Sequence, residues 1–270
     1  MQNKGEECGG KVMDRKLTVI YFSPTDTTKK IVNAIAKGMG NNCVQTVNLT
    51  DPRARSLNYS FKKDEIIIVG IPVYGGRIPG FLTPVFDNIK GESTQAVFVA
   101  VYGNRAYEDA LLELKHTFEE NGFVGLAAGA FIGEHSNTEK VAGGRPDAQD
   151  IEAAEGFGRE IAEKMKKKSI SGITVKGDYP YKERKPAVPM APDTSESCIQ
   201  CGICAKYCPM EAISFSDAKI TDPLKCIRCS SCVKRCPQKA KTFHHEAFNK
   251  ITEWLIENYS QDRSEPEWFI

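Results

Sequence analysis

Residues 17–28 read LTVIYFSPTDTT, and this stretch decides the architecture of the first half of the chain. Leu17 to Phe22 is an apolar, partly β-branched run of strand length. Ser23-Pro24-Thr25-Asp26-Thr27-Thr28 follows as a turn-forming, hydroxyl-rich loop. Thr27 to Met39 then places Ile31, Ala34 and Ile35 on one helical face. The alternation continues outward. Cys43 to Leu49 has period two, Glu65 to Gly70 is β-branched, and Gly80 to Ile89 suits a short helix. Gln95 to Val101 is a strand, and Arg105 to Glu120 a helix carrying Leu111, Leu112, Leu114 and Phe118. Phe123 to Ile132 is a fifth strand, and Pro146 to Lys168 a long helix ending in lysines. Five strands alternating with helices predict an α/β fold with a doubly wound, five-stranded parallel sheet. Ligands of such sheets bind in the loops at the carboxyl ends of the strands.

Composition narrows the class. Apolar residues are 41% and charged residues 26% of 270, a globular mixture that excludes a disordered, collagen-like or coiled-coil chain. The longest apolar runs are strand-sized, well below the ~18 residues of a membrane span. Met1 to Lys16 is polar and lacks the apolar core of a signal peptide, so a cytoplasmic location is expected.

Ten cysteines are placed unevenly: Cys8 and Cys43 stand alone, and eight fall between Cys198 and Cys236. In a reducing compartment such a cluster points to metal rather than disulfides. Cys198, Cys201, Cys204 and Cys208-Pro209 have the spacing C-x2-C-x2-C-x3-C-P, and Cys226, Cys229, Cys232 and Cys236-Pro237 repeat it 28 residues later. Ile199/Ile227, Lys206/Lys234, Ala212/Ala240 and Phe215/Phe243 extend the repeat, implying a pseudo-twofold module. Zinc sites use separated C-x2-C pairs, which fits two triplets poorly. Residues 198–243 resemble bacterial-type ferredoxins carrying two [4Fe–4S] clusters. In that pattern the fourth cysteine of each run ligates the other cluster. The resemblance therefore implies one set of Cys198, Cys201, Cys204 and Cys236, and another of Cys226, Cys229, Cys232 and Cys208. Residues 198–243 hold 8 Lys+Arg against 3 Asp+Glu, and residues 244–270 hold 2 against 6. The basic excess nearly cancels the charge of two thiolate-bound clusters, so it does not require nucleic acid, and it would raise their reduction potentials.

Three strand-end loops bear on a second cofactor. The hydroxyls of Ser23, Thr25, Thr27 and Thr28 meet a helix N-terminus, a phosphate site without lysine or metal, unless Thr27 or Thr28 only caps the helix. Pro72-Val73-Tyr74-Gly75-Gly76-Arg77 and Tyr102-Gly103-Asn104-Arg105-Ala106-Tyr107 combine aromatics with glycines. Tyrosines can stack on a planar ring or merely pack, and glycines let backbone approach a ring edge. Together these loops make residues 15–168 resemble a flavodoxin, and the whole chain resembles clostridial-type fusions of a flavodoxin-like domain with a two-cluster ferredoxin. The resemblance implies FMN, with its phosphate on Ser23, Thr25, Thr27 and Thr28. Pro72, Val73, Tyr74, Gly75 and Gly76 would meet one side of the flavin, and Tyr102, Gly103, Asn104 and Tyr107 the other. Asp26 departs from the small residue usual in such loops. Asp tolerates left-handed backbone, but its charge is expected to weaken phosphate binding, so that Asp26→Gly tightens FMN. Arg77 and Arg105 would face either the flavin or solvent, and His135 would relay protons, contact substrate or cap its loop. Gly156-Phe157-Gly158 lies in a helical pattern and is not a dinucleotide fingerprint.

The expected organisation is a flavodoxin-like domain over 1–168, a proline-rich linker over 169–193, a small α+β two-cluster domain over 194–243, and a C-terminal helix and tail over 244–270. Phe248, Ile251, Leu255 and Tyr259 have the spacing of a docked helix face. The expected function is electron transfer between two [4Fe–4S] clusters and FMN, with redox proteins (a ferredoxin-type donor or acceptor, or a reductase) as partners, and neither nucleic acid nor membrane. Sequence leaves oligomeric state open, a homodimer included. The alternative is an FMN-dependent reductase of a quinone, nitro compound or enone; a roomy pocket lined by His135, Arg105 or Tyr107 would favour it, and a closed flavin edge the carrier.

Overall fold

The computed structural model describes residues 15–41, 44–167, 172–184, 186 and 188–270. Cys8 and Cys43 lie outside the described residues. The chain runs β1 (Leu17–Tyr21), α1 (Thr27–Gly38), β2 (Val44–Asn48), β3 (Tyr59–Phe61) and β4 (Ile66–Pro72). It continues through α2 (Thr83–Phe86), β5 (Ile89–Gly91), β6 (Thr94–Tyr102), α3 (Ala110–Glu120), β7 (Phe123–Ile132) and α4 (Ala148–Lys166). The second half holds β8 (Asp193–Thr194), α5 (Ile203–Lys206), α6 (Ser231–Arg235), β9 (Lys241–Thr242), α7 (Glu246–Tyr259) and β10 (Glu267–Phe269).

The main sheet has the order β10-β7-β6-β4-β1-β2. Its parallel part, renumbered along the chain, is 2-1-3-4-5, the flavodoxin-like doubly wound order with its switch point beside the first strand. β1 pairs in parallel with both β2 and β4, so the loops after β1, β4 and β6 open at one rim. The central strands are buried along their length, as apolar runs between two helical layers must be. One core, with Phe22, Phe86, Phe98 and Phe118, lies toward α3; the other, with Ile31, Ile35, Phe131 and Phe157, lies toward α1 and α4. Gly158 belongs to that second contact: a Cβ there would sit 2.2 Å from the Ile35 carbonyl oxygen, so the glycine lets α1 and α4 touch.

Three expectations change. The five expected parallel strands gain a sixth, because β10 pairs antiparallel with β7 and covers what would otherwise be an open edge. Trp268 of β10 stacks on Phe131 at 6.3 Å. The helix expected from Arg105 begins at Ala110. Asn104 and Glu108 are left-handed, and the Asp109 carboxylate accepts from the Asp178 and Lys182 amides. Residues 172–184, within the expected proline-rich linker, are fastened to the first domain. Ile173 and Val175 enter its core, Arg184 and Arg77 both pair with buried Glu113, and Arg77 lies 4.6 Å over the Tyr181 ring. Among the described residues no helix is long and apolar enough to cross a membrane.

Candidate functional site

The cysteine module repeats in its backbone as well as in its sequence. Gln200 and Arg228, Gly202 and Ser230, and Glu211 and Lys239 are left-handed pairs, each 28 residues apart. α5 and α6 occupy matching places, and the amides of Ala212 and Ala240 donate to Cys208 Sγ and Cys236 Sγ at 3.3 and 3.2 Å. Two cavities result. One is lined by Cys198, Cys201, Cys204 and Cys236; the other by Cys208, Cys226, Cys229 and Cys232. The fourth cysteine of each run thus sits with the triplet of the other. Among the described residues no group of three or more His, Cys, Asp or Glu closes in as a single-ion site does. The thiols instead surround spaces, a donor set that fits an iron–sulfur core.

Their electrostatics are unequal. Burial raises the Cys229 and Cys232 thiols to about 12, with neighbouring thiols adding to the rise. Burial also raises Cys204 and Cys226. Such sulfurs ionise only against a cation, which a metal core supplies. Lys241, 2% exposed, lines the first cavity and donates to Thr221 Oγ1 at 2.9 Å, with no carboxylate partner among the described residues. Its charge pulls the Cys204, Cys226 and Cys232 thiols downward against burial.

At the sheet rim a cavity of about 60 Å3 is lined by Thr25, Thr27, Thr28, Pro72, Val73, Tyr74, Tyr102, Gly103, His135 and Cys229. Thr28 Oγ1 is buried there without a hydrogen-bond partner. A buried orphan hydroxyl at the N-terminus of a 12-residue helix fits a phosphate oxygen. Ser23 does not line this cavity: its hydroxyl accepts from the Lys29 amide at 3.0 Å and its own amide donates to Thr50. A second, wider cavity of about 410 Å3 adjoins Val73, Tyr74, Gly75, Gly76, Tyr102, Gly103, Arg105 and His135. Gly75 and Gly76, at φ +61° and +82°, form the tight turn closed by Tyr74 and Arg77, and a Cβ on Gly76 would strike Glu108. These residues fit a flat ring set between two glycine-bearing loops.

Other expected contacts lie elsewhere. The Asn104 amide donates to the Tyr259 and Asp262 carbonyls and accepts from the Ser264 amide, so it holds the C-terminal tail. The Tyr107 hydroxyl donates to Glu267 of β10; burial and that carboxylate raise its pKa. Arg77 faces Glu113, neither flavin nor solvent. Arg105 lines the wide cavity and pairs with Glu108. His135 Nδ1 accepts from the Asn137 amide at 3.1 Å, and burial, with Lys234 and Arg105 nearby, lowers its pKa to about 4.

Asp26 is left-handed, as its backbone tolerance allows, but its carboxylate pairs with Arg235 of α6. Ser231 Oγ donates to the Pro24 carbonyl at 2.8 Å. The charge expected to oppose a phosphate is thus neutralised from the cysteine module, which removes the reason for Asp26→Gly to tighten FMN. Lys234 adds a pair with Glu134 and a bond to the His135 carbonyl. Sequence reading missed Arg235, Lys241, Arg228 and the α7 residue Trp254. Their neighbours come from distant segments, and the one local clue was the basic excess of the module.

Residues 195–241 match the family described as a 4Fe-4S dicluster domain. No curated protein matches the chain. Among solved structures, a flavodoxin from the domain Archaea is 19% identical, over 56% of this chain and 99% of that one, with a TM-score of 0.40. The rubredoxin oxygen:oxidoreductase of the anaerobe Desulfovibrio gigas is 16% identical over 57% of this chain and 37% of its own, at 0.41. A Fusobacterium nucleatum flavodoxin bound to flavin mononucleotide is 16% identical over 57% and 98%, at 0.37. The chain therefore joins a doubly wound domain of flavodoxin-like strand order to a segment that matches the 4Fe-4S dicluster family.

Proposed function

We propose that this protein is an electron-transfer flavo-iron-sulfur protein in which two [4Fe–4S] clusters form an ordered path to FMN. The observation that carries the reading is the position of Cys229. It lines the second thiol cavity and also the rim cavity of Thr25, Thr27 and Thr28. Cys201, in contrast, is solvent-exposed. Electrons would enter at the Cys198/Cys201/Cys204/Cys236 site and pass through the Cys208/Cys226/Cys229/Cys232 site to the rim. Thr25, Thr27 and Thr28 would hold the phosphate, and Tyr74, Gly75, Gly76, Tyr102 and Gly103 the ring. FMN, when bound, exchanges one or two electrons, whereas each cluster exchanges one. The chain's own contribution is to fix that order, to shield the inner site and to hold the hydroxyl loop with Arg235 and Ser231.

One observation favours the reductase as a second reading. The wide cavity is lined by Arg105 and His135, and α7 roofs it. A protein partner would meet that roof before the rim, whereas a small acceptor fits inside. Anaerobic reconstitution followed by iron, sulfide and flavin quantification tests the core reading. About eight irons and one FMN per chain are expected. Zinc at the thiols, or absence of flavin, overturns it.

A further inference from the structure

The wide cavity holds about 410 Å3 and opens to solvent. That is the size of a pocket for one small ligand, roughly 300–1000 Å3, and its α7 side is walled by residues outside the two glycine-bearing loops. Its roof is apolar: Phe248, Ile251, Trp254 and Leu255 of α7 line it. Phe248 and Leu255 are buried, whereas Ile251 is 54% and Trp254 46% exposed, so the outer half of this apolar face lies open. One cation of the lining stands apart. Arg105 is held by Glu108, but among the described residues the half-buried Arg228 guanidinium has no hydrogen-bond or ion-pair partner. Its charge acts on the neighbouring Cys226 thiol, but no carboxylate among the described residues holds its fork, which fits an oxyanion with two oxygens.

We propose that this cavity binds a flat aromatic carboxylate bearing a conjugated reducible group, its ring under the α7 roof and its carboxylate on Arg228. This rests on the reductase reading and names its substrate class. For a nitro acid the step is R–NO2 + 2 e− + 2 H+ → R–NO + H2O. One N–O bond breaks and its oxygen leaves as water. The protons come from solvent, and the electrons come singly from an external reduced one-electron carrier through the two thiol sites.

The test uses the reconstituted full chain with clusters and FMN. It is titrated with 4-nitrobenzoate and with neutral nitrobenzene, read by quenching of tryptophan fluorescence, with Trp254→Phe identifying the reporter. Saturable quenching by 4-nitrobenzoate is expected. Arg228→Gln should weaken 4-nitrobenzoate by at least ~10-fold and nitrobenzene by less than about twofold, with Arg228→Lys recovering part of the loss. Ile251→Glu, on the open half of the roof, should weaken both compounds. FMN retained without 4-nitrobenzoate binding overturns the proposal alone. Equal effects of Arg228→Gln on both compounds, with a changed cluster potential, also overturn it, because Arg228 would then serve only the neighbouring Cys226 thiol, on which its charge acts. Absence of FMN from the reconstituted protein overturns the flavin reading and the proposal with it.

Discussion

The two cysteine runs, Cys198 to Cys208 and Cys226 to Cys236, share spacing and left-handed backbone positions, yet occupy opposite surroundings. The first has Cys201 exposed, Ile199 beside it 62% exposed, and the buried Lys241 in its cavity. The second has Cys229 and Cys232 thiols raised to about 12 and opens toward the hydroxyl loop. Local sequence sets what a thiol triplet can hold, whereas the surface it packs against sets the burial and charge that decide its role. The difference lies in α6, whose Ser231 and Arg235 bond to Pro24 and Asp26, while α5 makes no such bond among the described residues.

The largest expected effect breaks the comparison by removing one side of it. Cys229→Ala should lower iron from about eight to about four per chain, or further if the inner site supports the outer. Flavin reduction by an external one-electron donor should stop. Cys201→Ala should also cost iron, but direct chemical reduction of the inner site should still reach the flavin. Equal behaviour of both variants in that assay would remove the proposed order.

Lys241→Met sharpens the contrast in charge. A nearby cation favours the reduced cluster, so its loss should lower the outer potential by about 60 mV, a tenfold change in a one-electron equilibrium, and the inner one by less. Potentiometric titration followed by EPR reads both. Arg235→Ala tests the contact that separates the repeats. Its ion pair is part-exposed and worth little over ~1 kcal/mol, so a Tm drop of about 2–4 °C is expected. Weaker FMN retention would accompany it if α6 holds the hydroxyl loop; an unchanged Tm and flavin content would show that the contact does not couple the domains.

The last effect is confined to low pH. His135 has a folded pKa of about 4, below its ordinary value near 6.5, because burial and nearby Lys234 and Arg105 disfavour its charged form. Between those values the unfolded chain binds more protons, so stability is full above about 6.5 and declines as pH falls toward 4. His135→Asn should flatten that part of the Tm-against-pH curve. An unchanged slope would assign the decline to other groups.

Much of this was legible in residues alone. Five parallel strands were readable because each is a buried apolar run followed by a turn and a helix. β10 was not, since three residues carry no periodicity and pair only because β7 needs an edge partner. The thiol spacing was readable because both donors and chain reach are local. Thr25, Thr27 and Thr28 were readable from their place after β1, but Ser23, Asn104 and Tyr107 have partners that only the folded chain supplies. The linker was legible as a proline-rich stretch, but its fastening by Ile173, Val175 and Arg184 was not, since those contacts are distant in sequence.

By itself, then, the sequence determined the alternation that makes the doubly wound sheet, the hydroxyl loop at its rim and the doubled thiol repeat, since all three depend on periodicity and short spacing. Tertiary structure alone decided which repeat faces solvent and which faces the rim, that Asp26 is neutralised by Arg235, and that α7 roofs a cavity holding Arg228, whose guanidinium has no hydrogen-bond or ion-pair partner among the described residues. Those outcomes depend on burial and on charges brought together from more than 200 residues apart, as Asp26 and Arg235 are.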